Sequence, residues 1–427
     1  MKNSQLEKLA LITESTLIVG VDIAKKTHYA QCCDYRGVKL HKAFPFQNTK
    51  TGIDCLLAKL YEVQEKHDKS TIIVAMEPTG HYWENLATTL KNQGILVALV
   101  SSLHVHQSKE LDDNSPAKTD PKDAGVIASL VKDGRFSIPN MPEGIYADIR
   151  NLVRFRDQIV QEQIRYKLRL QTLMDRYFPE RAGIFKEITG KASLAILKQY
   201  PFPSDINGAA EEALAKVMAE ATHNKVGRSK AAGLIKVARH SIGITEGLAS
   251  ARLQATSLVQ MLELLASESA EIEDRIKELL SQISYAKPIL TIPCIGPVLA
   301  AVIVSEIGDI DRFSNWKQLC KLAGLNLKEN SSGTHKGKTR ITKRGRSRLR
   351  SALYRAALIA IAKVPEFRAL HDYFTTRTSN QLAGKQSVIA ICCKLLRIIF
   401  SLAKKGGSYQ PELALGEYRW QQLGLAA

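Results

Sequence analysis

The fold of this chain is decided first by the segment LIVGVDIAKK (17–26), in which a run of apolar and small residues leads to Asp22. Runs of this kind form strands that are buried in a sheet, and a residue at the end of such a strand lies at the sheet's edge. The segment TIIVAMEPTG (71–80) has the same arrangement, with Glu77 after the apolar run. We therefore expect neighbouring strands that present two carboxylates together.

The order of elements around these strands is typical of one fold class. The predicted elements, in chain order, are strands at 17–23, 27–34 and 37–44, a helix at about 48–67, a strand at 71–76, a helix capped by Thr79 and a strand at 95–100. Three strands, a helix, a strand, a helix and a strand form the order of a ribonuclease-H-like α/β domain. The pattern therefore favours that fold for the first part of the chain.

Two further acidic residues, Asp120 and Asp123, lie three apart in AKTDPKDAGVIA (117–128). Residues at this spacing share one face of a helix, and a helix across the strand ends would bring them to Asp22 and Glu77. Mg²⁺ prefers carboxylates together with water and phosphate oxygens, and a pair of such ions promotes phosphodiester chemistry. The four carboxylates therefore predict a divalent-metal site.

The sequence DPKD (120–123) also permits a simpler interpretation. A helix N-terminus has the same features, with Asp120 as the cap, proline in the first turn and a second acid behind it. Taken alone, this motif favours capping, whereas the combination of all four acids favours metal binding. Asp112 and Asp113 lie nearby in a loop-like stretch and are weaker candidates.

The overall charge indicates the class of partner. Lys and Arg outnumber Asp and Glu by 60 to 42, which gives a net charge of +18. Such an excess favours a polyanion, because contacts with phosphates release condensed counterions. Ribosomal and membrane-surface proteins share this balance, so the charge indicates nucleic acid without naming a function. The seven cysteines form no CxxC pair, which argues against zinc and favours buried thiols in a reducing environment.

The uncharged run 288–305 is long enough to cross a membrane, but Pro293, Gly296 and Pro297 interrupt it near the middle. The N-terminal residues contain no apolar core of the length that a signal peptide needs. We therefore expect a cytoplasmic protein with no membrane partner. The segment TIPCIGPVLAAVIVSEIG (291–308) instead resembles a helix–hairpin–helix turn, whose second helix can present backbone amides to a phosphate.

The remaining sequence is predicted to be helical. A first long helix is expected at 147–177, and a second at 248–283 carries apolar residues at alternating spacings of three and four over five heptads. This repeat predicts a coiled coil, and a long helix packed within one subunit is the alternative. The segment 179–245 between them is also helical but contains no recognisable chemistry. Two further helices are expected at 351–364 and 387–403.

The stretch ENSSGTHKGKTRITKRGRSRLR (329–350) is the most basic part of the chain. Between Glu329 and Glu366 there are ten Lys or Arg residues and no acid, and three glycines favour a loop. Ser331 or Ser332 could attack phosphorus there, because fixed positive charge stabilises the developing negative charge. A nucleic-acid-binding loop is the alternative, and these residues alone favour it. The candidate nucleic-acid-binding residues are Lys336, Lys338, Arg340, Lys343, Arg344, Arg346, Arg348 and Arg350.

Taken together, these motifs resemble those of the transposases of insertion sequence family 110. The resemblance covers roughly the first 140 residues and the segment 288–365. The motifs that carry it are GVDIAKK, MEPTGHYW, AKTDPKDA, IPCIGPVLAAVIVSEIGDIDRF and LAGLNLKENSSGTHKGKTRITKRGRSRLRSALYRAAL.

The resemblance implies three domains with separate tasks. Residues 1–145 would form a RuvC-like domain, 146–286 a helical linker with a coiled coil, and 287–427 a helical transposase domain with the helix–hairpin–helix-like segment. The implied D-E-D-D set would hold Mg²⁺, or alternatively Mn²⁺, and the implied nucleophile is a serine just before a glycine. On this sequence those positions are Asp22, Glu77, Asp120, Asp123 and Ser332.

The resemblance also implies a reaction and its partners. Donor and target DNA would be cleaved through a phosphoserine intermediate, guided by a noncoding bridge RNA, in a dimer or a tetramer. Two alternatives stay open on the sequence alone. A RuvC-type junction nuclease would use metal-activated water and leave no protein–DNA adduct, and a noncatalytic packaging protein would be indifferent to the loss of Asp22 or Glu77.

Overall fold

The computed structural model describes residues 5–112, 120–328, 331–332, 335–337 and 339–424. The side chains of residues 109–112, 120, 331, 332, 335 and 336 lie outside this description. The chain divides into two compact units, Met1–Met141 and Pro142–Ala427. The first boundary lies close to the predicted one at 145, and a separate domain from 287 onward stays a prediction.

The first unit is a sheet covered by helices on both faces. Its strands are β1 (Thr16–Asp22), β2 (Thr27–Cys33), β3 (Phe44–Gln47), β4 (Thr71–Met76), β5 (Leu96–Val100) and β6 (Phe136–Ser137). Its helices are α1 (Gln5–Leu9), α2 (Lys50–Lys66), α3 (Tyr82–Asn92), α4 (Ser102–Asp112) and α5 (Asp120–Lys132). The strand order is β3-β2-β1-β4-β5-β6. This arrangement is compatible with a ribonuclease-H-like domain.

The centre of the sheet is parallel, and its burial follows the alternation of side chains along a strand. β1 runs parallel to β4 and antiparallel to β2, and β4 runs parallel to β5. Leu17, Val19 and Val21 belong to one core cluster, whereas Ile18 packs with residues of α5 on the opposite face. Strands buried on both faces read as continuous apolar runs, which explains why β1 and β4 were predictable.

The third strand was predicted in the wrong place. It covers Phe44–Gln47 rather than 37–44. The carboxylate of Asp34 accepts hydrogen bonds from the amides of Arg36 (2.9 Å) and Val38 (2.7 Å), so the chain makes a side-chain-stabilised turn after β2. The segment that follows this turn makes only an isolated bridge to β2 before the strand begins.

The predicted cap of α3 was also wrong. The helix begins at Tyr82, and its N-cap position is occupied by His81, whose side chain makes no capping hydrogen bond. The amide of Thr79 donates instead to the carbonyl of Glu77 at 2.8 Å. This bond closes a turn directly after β4, so Thr79 lies in the connection between β4 and α3 rather than at the start of the helix.

The second unit is mainly helical. Its helices are α6 (Ile145–Tyr177), α7 (Arg181–Ile184), α8 (Lys191–Gln199), α9 (Pro203–Asn207), α10 (Glu211–Thr222), α11 (Arg228–Arg239), α12 (Leu248–Ser281), α13 (Ala286–Leu290), α14 (Pro297–Ile307), α15 (Trp316–Ala323), α16 (Ser347–Lys363), α17 (Pro365–Thr376), α18 (Gly384–Lys405), α19 (Pro411–Leu415) and α20 (Glu417–Gln422). Between α15 and α16 lie β7 (Leu327–Lys328), β8 (Ser331–Ser332), β9 (His335–Lys336) and β10 (Arg340–Ile341).

The two long helices α6 and α12 pack against each other within the chain. The predicted heptad positions of α12 include buried Ala251, Ala255 and Ile276, which lie in the core clusters that also contain α6 residues. Arg156 of α6 and Glu273 of α12 form an ion pair of 2.6 Å across the contact. The heptad face is therefore filled by α6, as the alternative of a long helix packed within one subunit expects.

The apolar segments of the second unit supply its core. α14 is buried from Ala300 to Ile307, which explains the uncharged run in the sequence. Of the described helices, α18 is long and apolar enough to span a membrane by length and composition, a property that core helices share. Its buried residues, which include Ile391, Leu395 and Ile399, belong to the largest core cluster.

Candidate active site

The register of the parallel strands places Asp22 and Glu77 side by side. Val21 on β1 is paired with Met76 on β4, and the next residue on each chain is the carboxylate. Neighbouring strands are roughly 5 Å apart, so the two backbone positions are close. Both side chains are partly exposed, whereas the strands behind them are buried. The two acids therefore lie at the carboxyl edge of the central sheet.

The alternation of side chains determines which face of the sheet the two acids occupy. Ile18 on β1, and Ile73 and Ala75 on β4, pack in the cluster that contains the residues of α5. Because successive strand residues point to opposite faces, Asp22 and Glu77 continue the row that faces α5.

Helix α5 lies directly on β1 at Gly20. A Cβ atom added to Gly20 would stand 2.1 Å from the carbonyl oxygen of Ala124 and 2.6 Å from the amide nitrogen of Ala128. Only glycine permits such an approach of two backbones. Asp123 precedes Ala124 and is 5% exposed, so a carboxylate is buried on the face of the sheet that Asp22 occupies.

The remaining predicted acids have different positions. Asp120 is the first residue of α5, three positions before Asp123, as predicted for a helix start. Asp112 ends α4 instead of lying in a loop, and Asp113 lies outside the described residues. Among the side chains that the structure describes, no group of three His, Cys, Asp or Glu is arranged to hold a metal ion. A complete metal set at this edge therefore stays a prediction.

The turn that follows Asp22 is held by a buried histidine. His28 on β2 is fully buried, and its Nδ1 accepts a hydrogen bond of 3.1 Å from the amide of Ala24. Burial lowers the pKa of His28, since the charged imidazolium would lose its hydration. The neutral ring therefore fixes the backbone two residues beyond Asp22.

Ser331 and Ser332 lie near the tip of a β-hairpin, where the sequence predicted a loop. β7 pairs with β10 at the base of the hairpin, and β8 pairs with β9 nearer its tip. In this register Ser332 is opposite His335 and Ser331 is opposite Lys336. The hairpin therefore holds the backbone of the predicted nucleophile in a defined position.

The chain that follows the hairpin is fastened to the end of α15. Gly324 ends that helix with a φ of +68°, and Gly345 fits against it so closely that an added Cβ would stand 2.5 Å from the Gly324 amide nitrogen. The amide of Lys343 donates to the carbonyl of Gly324 (3.0 Å), and that of Arg346 to the carbonyl of Leu322 (2.7 Å). Two glycines thus permit a backbone-to-backbone contact.

Two of the predicted nucleic-acid-binding arginines hold this contact in place. Arg346 donates to the backbone carbonyl and the carboxylate of Glu306, a residue that is 8% exposed at the end of α14. Arg350 donates to the carbonyls of Ala323 (2.9 Å) and Lys343 (3.3 Å). Both guanidinium groups therefore bind the protein itself, and their contacts indicate a positioning role.

The other basic residues differ in exposure. Arg340, Lys343 and Arg344 are exposed on the hairpin and on the chain that follows it. Arg348 forms an ion pair of 3.3 Å with Asp157 of α6. The side chain of Lys336 lies outside the described residues, as does Lys338. Arg340, Lys343 and Arg344 are therefore the described basic side chains of this stretch that are open to a phosphate.

Guanidinium groups also converge on the end of α14. Arg150 donates to the carbonyl of Ser305 at 3.1 Å, next to Arg346 on Glu306. Burial, and then the charge of Arg346, lowers the pKa of Arg150 to about 10. Burial and Arg346 also lower the pKa of Arg312. The helix terminus carries partial negative charge, which favours cations at this position.

Comparisons with known proteins agree with these features. Residues 19–179 match the family model of a transposase with a DEDD motif of the IS110 type, and residues 286–372 match that of the transposases of the IS116/IS110/IS902 family. Together the two matches cover more than half of the chain. The first contains Asp22, Glu77, Asp120 and Asp123, and the second contains the serine hairpin.

Relatives match over almost the full length of the chain. The 44.8 kDa protein of insertion element IS116 from Streptomyces clavuligerus is 23% identical, over 92% of this chain and 96% of its own length. The 43.6 kDa protein of IS110 from Streptomyces coelicolor is 21% identical, over 94% and 97%. A pilin gene-inverting protein from Moraxella bovis is 23% identical, over 93% and 99%.

The α/β unit, the basic hairpin and these matches define a class, the enzymes that cut and rejoin DNA during transposition and recombination. Within that class, the chain belongs to the IS110 family of transposases. DNA is therefore a substrate, and membership of a DEDD-type family indicates dependence on a divalent metal.

Proposed function

We propose that this transposase cleaves and rejoins DNA through a covalent phosphoserine intermediate at Ser332. The observation that carries the proposal is the serine hairpin followed by an exposed basic chain whose backbone is fixed to α15. Arg340, Lys343 and Arg344 would contact the DNA phosphates, while Arg346 and Arg350 hold the chain that presents them. Fixed cations of this kind stabilise the negative charge that develops on a phosphoryl group under attack.

The first unit would be a RuvC-like domain that holds Mg²⁺, or Mn²⁺, through Asp22, Glu77, Asp120 and Asp123. The chemistry of the donor set fits, because hard divalent cations prefer carboxylate oxygens, and a buried Asp123 beside the sheet edge would profit from a cation. The bound metal would polarise the scissile phosphate and favour ionisation of the attacking hydroxyl.

The proposed reaction conserves the number of phosphodiester-type bonds. The Ser332 hydroxyl loses its proton, its oxygen forms a bond to phosphorus, and the bond from phosphorus to the 3′ oxygen breaks. The released 3′ oxygen takes up a proton and leaves as a hydroxyl. When a 3′ hydroxyl of the exchanged strand attacks the phosphoserine, the serine is restored and the DNA is rejoined. No external energy source is needed.

The partners complete the proposal. Donor and target DNA would be selected by base pairing with a noncoding bridge RNA, so the protein itself would need to read little sequence. Asp123 and Ser332 lie in different compact units, and an active site could combine the units of two chains in a dimer or tetramer.

The covalent step is tested by incubating the protein with its element's RNA, labelled donor and target DNA and Mg²⁺, followed by denaturing gels. We expect a DNA-linked protein band with the unaltered chain and with Ser331→Ala, and its loss with Ser332→Ala. The neighbouring serine is the matched control, since it belongs to the same strand. If Ser332→Ala still cleaves DNA without a linked band, the result contradicts the covalent step and favours the alternative, a RuvC-type nuclease that uses activated water.

The RNA and the oligomer are tested in the same assay. Omission of the RNA should abolish cleavage of both DNA substrates, and cleavage without RNA would contradict the proposal that the RNA guides the protein.

The oligomer is tested by mixing chains that carry Asp123→Asn with chains that carry Ser332→Ala. If one active site combines two subunits, the mixture regains part of the activity that each variant lacks alone. A mixture without activity would favour sites built within one chain.

A further inference from the structure

A second candidate site lies at the C-terminal end of the chain, away from the serine hairpin in sequence. It is a cavity of about 500 Å³ formed by residues of α15, α17 and α18 and by the segment of α19 and α20. Three aromatic side chains line it, those of Trp316, Phe374 and Tyr418. Three cations line it as well, those of Lys394, Arg397 and Arg419.

The exposed Glu417 also lines the cavity, but among the residues that the structure describes the three cations make no ion pair with it or with another carboxylate. Lys394 is half-buried, and its Nζ donates to the carbonyl of Leu415 at 3.3 Å. Burial, followed by the charges of Arg397 and Arg419, lowers the pKa of Lys394 to about 8. Like charges that converge in a partly desolvated place are destabilising, so an anion bound there would be favoured.

Arginines stack on Phe374, which lines the cavity, and on its sequence neighbour Tyr373. The guanidinium of Arg419 lies 4.5 Å from the centre of the Tyr373 ring, and that of Arg377 lies 5.3 Å from the centre of the Phe374 ring. Trp316 and Phe374 are partly buried, whereas Tyr418 is 77% exposed at the mouth. An exposed tyrosine beside two partly buried rings offers π faces on which a planar group can stack.

We propose that this C-terminal cavity binds one unpaired nucleotide of a single-stranded nucleic acid. Its phosphate would contact Lys394, Arg397 and Arg419, and its base would stack on the aromatic side chains. A site for phosphate alone would not need the aromatic wall, and a base stacked within a duplex has no free face for aromatic side chains. The volume suits a ligand of this size, and cations combined with stacking surfaces are how proteins bind single strands. The site thus adds to the proposed strand exchange a place for an extruded nucleotide.

Binding is measured by calorimetry with the full-length chain and no divalent metal, so the result does not depend on the proposed chemistry at Ser332. The probes are 5′-AMP, 5′-dAMP, adenosine and inorganic phosphate. We expect both nucleotides to bind at least about tenfold more tightly than adenosine or phosphate, because charge-assisted hydrogen bonds and stacking act together. Lys394→Gln should weaken nucleotide binding about tenfold. Lys385→Gln, an equal charge change at the exposed start of α18, should not.

A thiol footprint checks the place of binding in the unaltered protein. Cys393 lines the cavity and is partly exposed, and the thiol of Cys320 lowers its pKa by hydrogen bonding. Bound nucleotide should slow the alkylation of Cys393 at least about threefold, as a stacked base covers the opening. Cys55, which is exposed on α2 of the other unit, should react at an unchanged rate.

The outcomes separate the proposal from its rivals. If inorganic phosphate protects Cys393 as well as the nucleotides do, the cavity is an anion site, and the proposal that it binds a nucleotide is overturned. No protection by either nucleotide would overturn it as well, and so would protection by duplex DNA but not by tetranucleotides. The tetranucleotides r(A)₄ and d(A)₄ are compared to identify the source. A preference for the ribose form assigns the cavity to RNA, and a preference for the deoxyribose form assigns it to DNA.

Discussion

The carboxylate edge of the first unit and the serine hairpin of the second are built by opposite means. Asp22 and Asp123 stand on elements that meet in a buried core, where Gly20 lets two backbones touch. The chain after the hairpin is exposed, and guanidinium groups and backbone hydrogen bonds fasten it to helix ends. Packing can fix distances for a metal, whereas clamped loops keep cations exposed for a phosphate.

The largest effect should come from the contact under the carboxylates. Gly20→Ala would place its Cβ 2.1 Å from the carbonyl oxygen of Ala124, a backbone atom of α5 that no change of side-chain rotamer can move. We expect the free energy of unfolding to fall by about 3 kcal/mol and metal-dependent cleavage to be lost, since α5 must move off β1. Urea unfolding and the cleavage assay measure these changes.

The matched control for this substitution is Gly125→Ala. Gly125 lies in α5, the helix that packs on Gly20, and no atom stands within 4 Å of the Cβ that it would gain. Alanine favours helix over glycine by up to about 1 kcal/mol, so this variant should be as stable as the unaltered chain or more so. Equal effects of the two substitutions would show that the close approach of α5 to β1 is unimportant.

A smaller loss of stability is expected at the Arg346 clamp, the contact between Arg346 and Glu306 that fastens the chain after the hairpin to the end of α14. Arg346→Gln would remove the charge that faces Glu306, a carboxylate that is 8% exposed. An uncompensated acid and lost charged hydrogen bonds should lower the free energy of unfolding by about 2 kcal/mol. Arg344→Gln, the exposed neighbour, should change it by less than about 0.5 kcal/mol. Equal stabilities would mean that Arg346 does not hold the chain.

The exposed cations should instead affect DNA affinity. Lys343→Gln and Arg344→Gln each remove an exposed side-chain charge that takes no part in the Arg346 clamp. If each contacts one phosphate, the slope of log affinity against log salt falls by about 0.9 per substitution on duplex DNA. Fluorescence anisotropy over a range of salt measures this slope. An unchanged slope would remove both residues from the interface.

The fold was predictable where the sequence pattern itself describes the environment. β1, β4 and β5 were predicted to within one or two residues, because strands buried on both faces are continuous apolar runs between turns. β3 was misplaced because Phe44–Gln47 contains a proline and alternates weakly, so its position depends on pairing with β2. The long helices were found from their repeats, but the repeat could not say whether the partner was α6 or a second subunit.

The site was less predictable, because its supports are distant in sequence. The four acids and the basic stretch were visible as residues in suggestive order. In the sequence, Gly20 looked like an ordinary strand glycine. Its role, to let α5 approach the backbone of β1, depends on a helix that begins a hundred residues later. Arg346 appeared to be one cation among ten, and its anchoring role depends on Glu306, forty positions earlier. One local feature of the sequence did point to this region: Gly324 follows a helical segment, and a glycine there indicates where the helix ends.

The smallest predicted effect separates the two regions by pH. Burial lowers the pKa of His28, so the folded protein binds fewer protons there than the unfolded chain, whose histidine has a pKa near 6.5. The stability that His28 contributes is therefore present above about pH 6.5 and is lost as the pH falls towards the folded value. Protonation also removes the acceptor of the Ala24 amide, so the turn behind Asp22 should loosen.

Hydrogen exchange at pH 7.5 and 5.5, corrected for the intrinsic rates, detects this loosening in the segment 23–28. Protection there should fall at the lower pH in the unaltered chain and in His41→Gln, a less buried histidine after the same strand pair. His28→Leu should already lack it at both pH values. Protection at the Arg346 clamp should stay constant, because guanidinium groups remain charged throughout this range. A parallel loss at the clamp would mean that acid acts on the whole protein rather than on the turn beside Asp22.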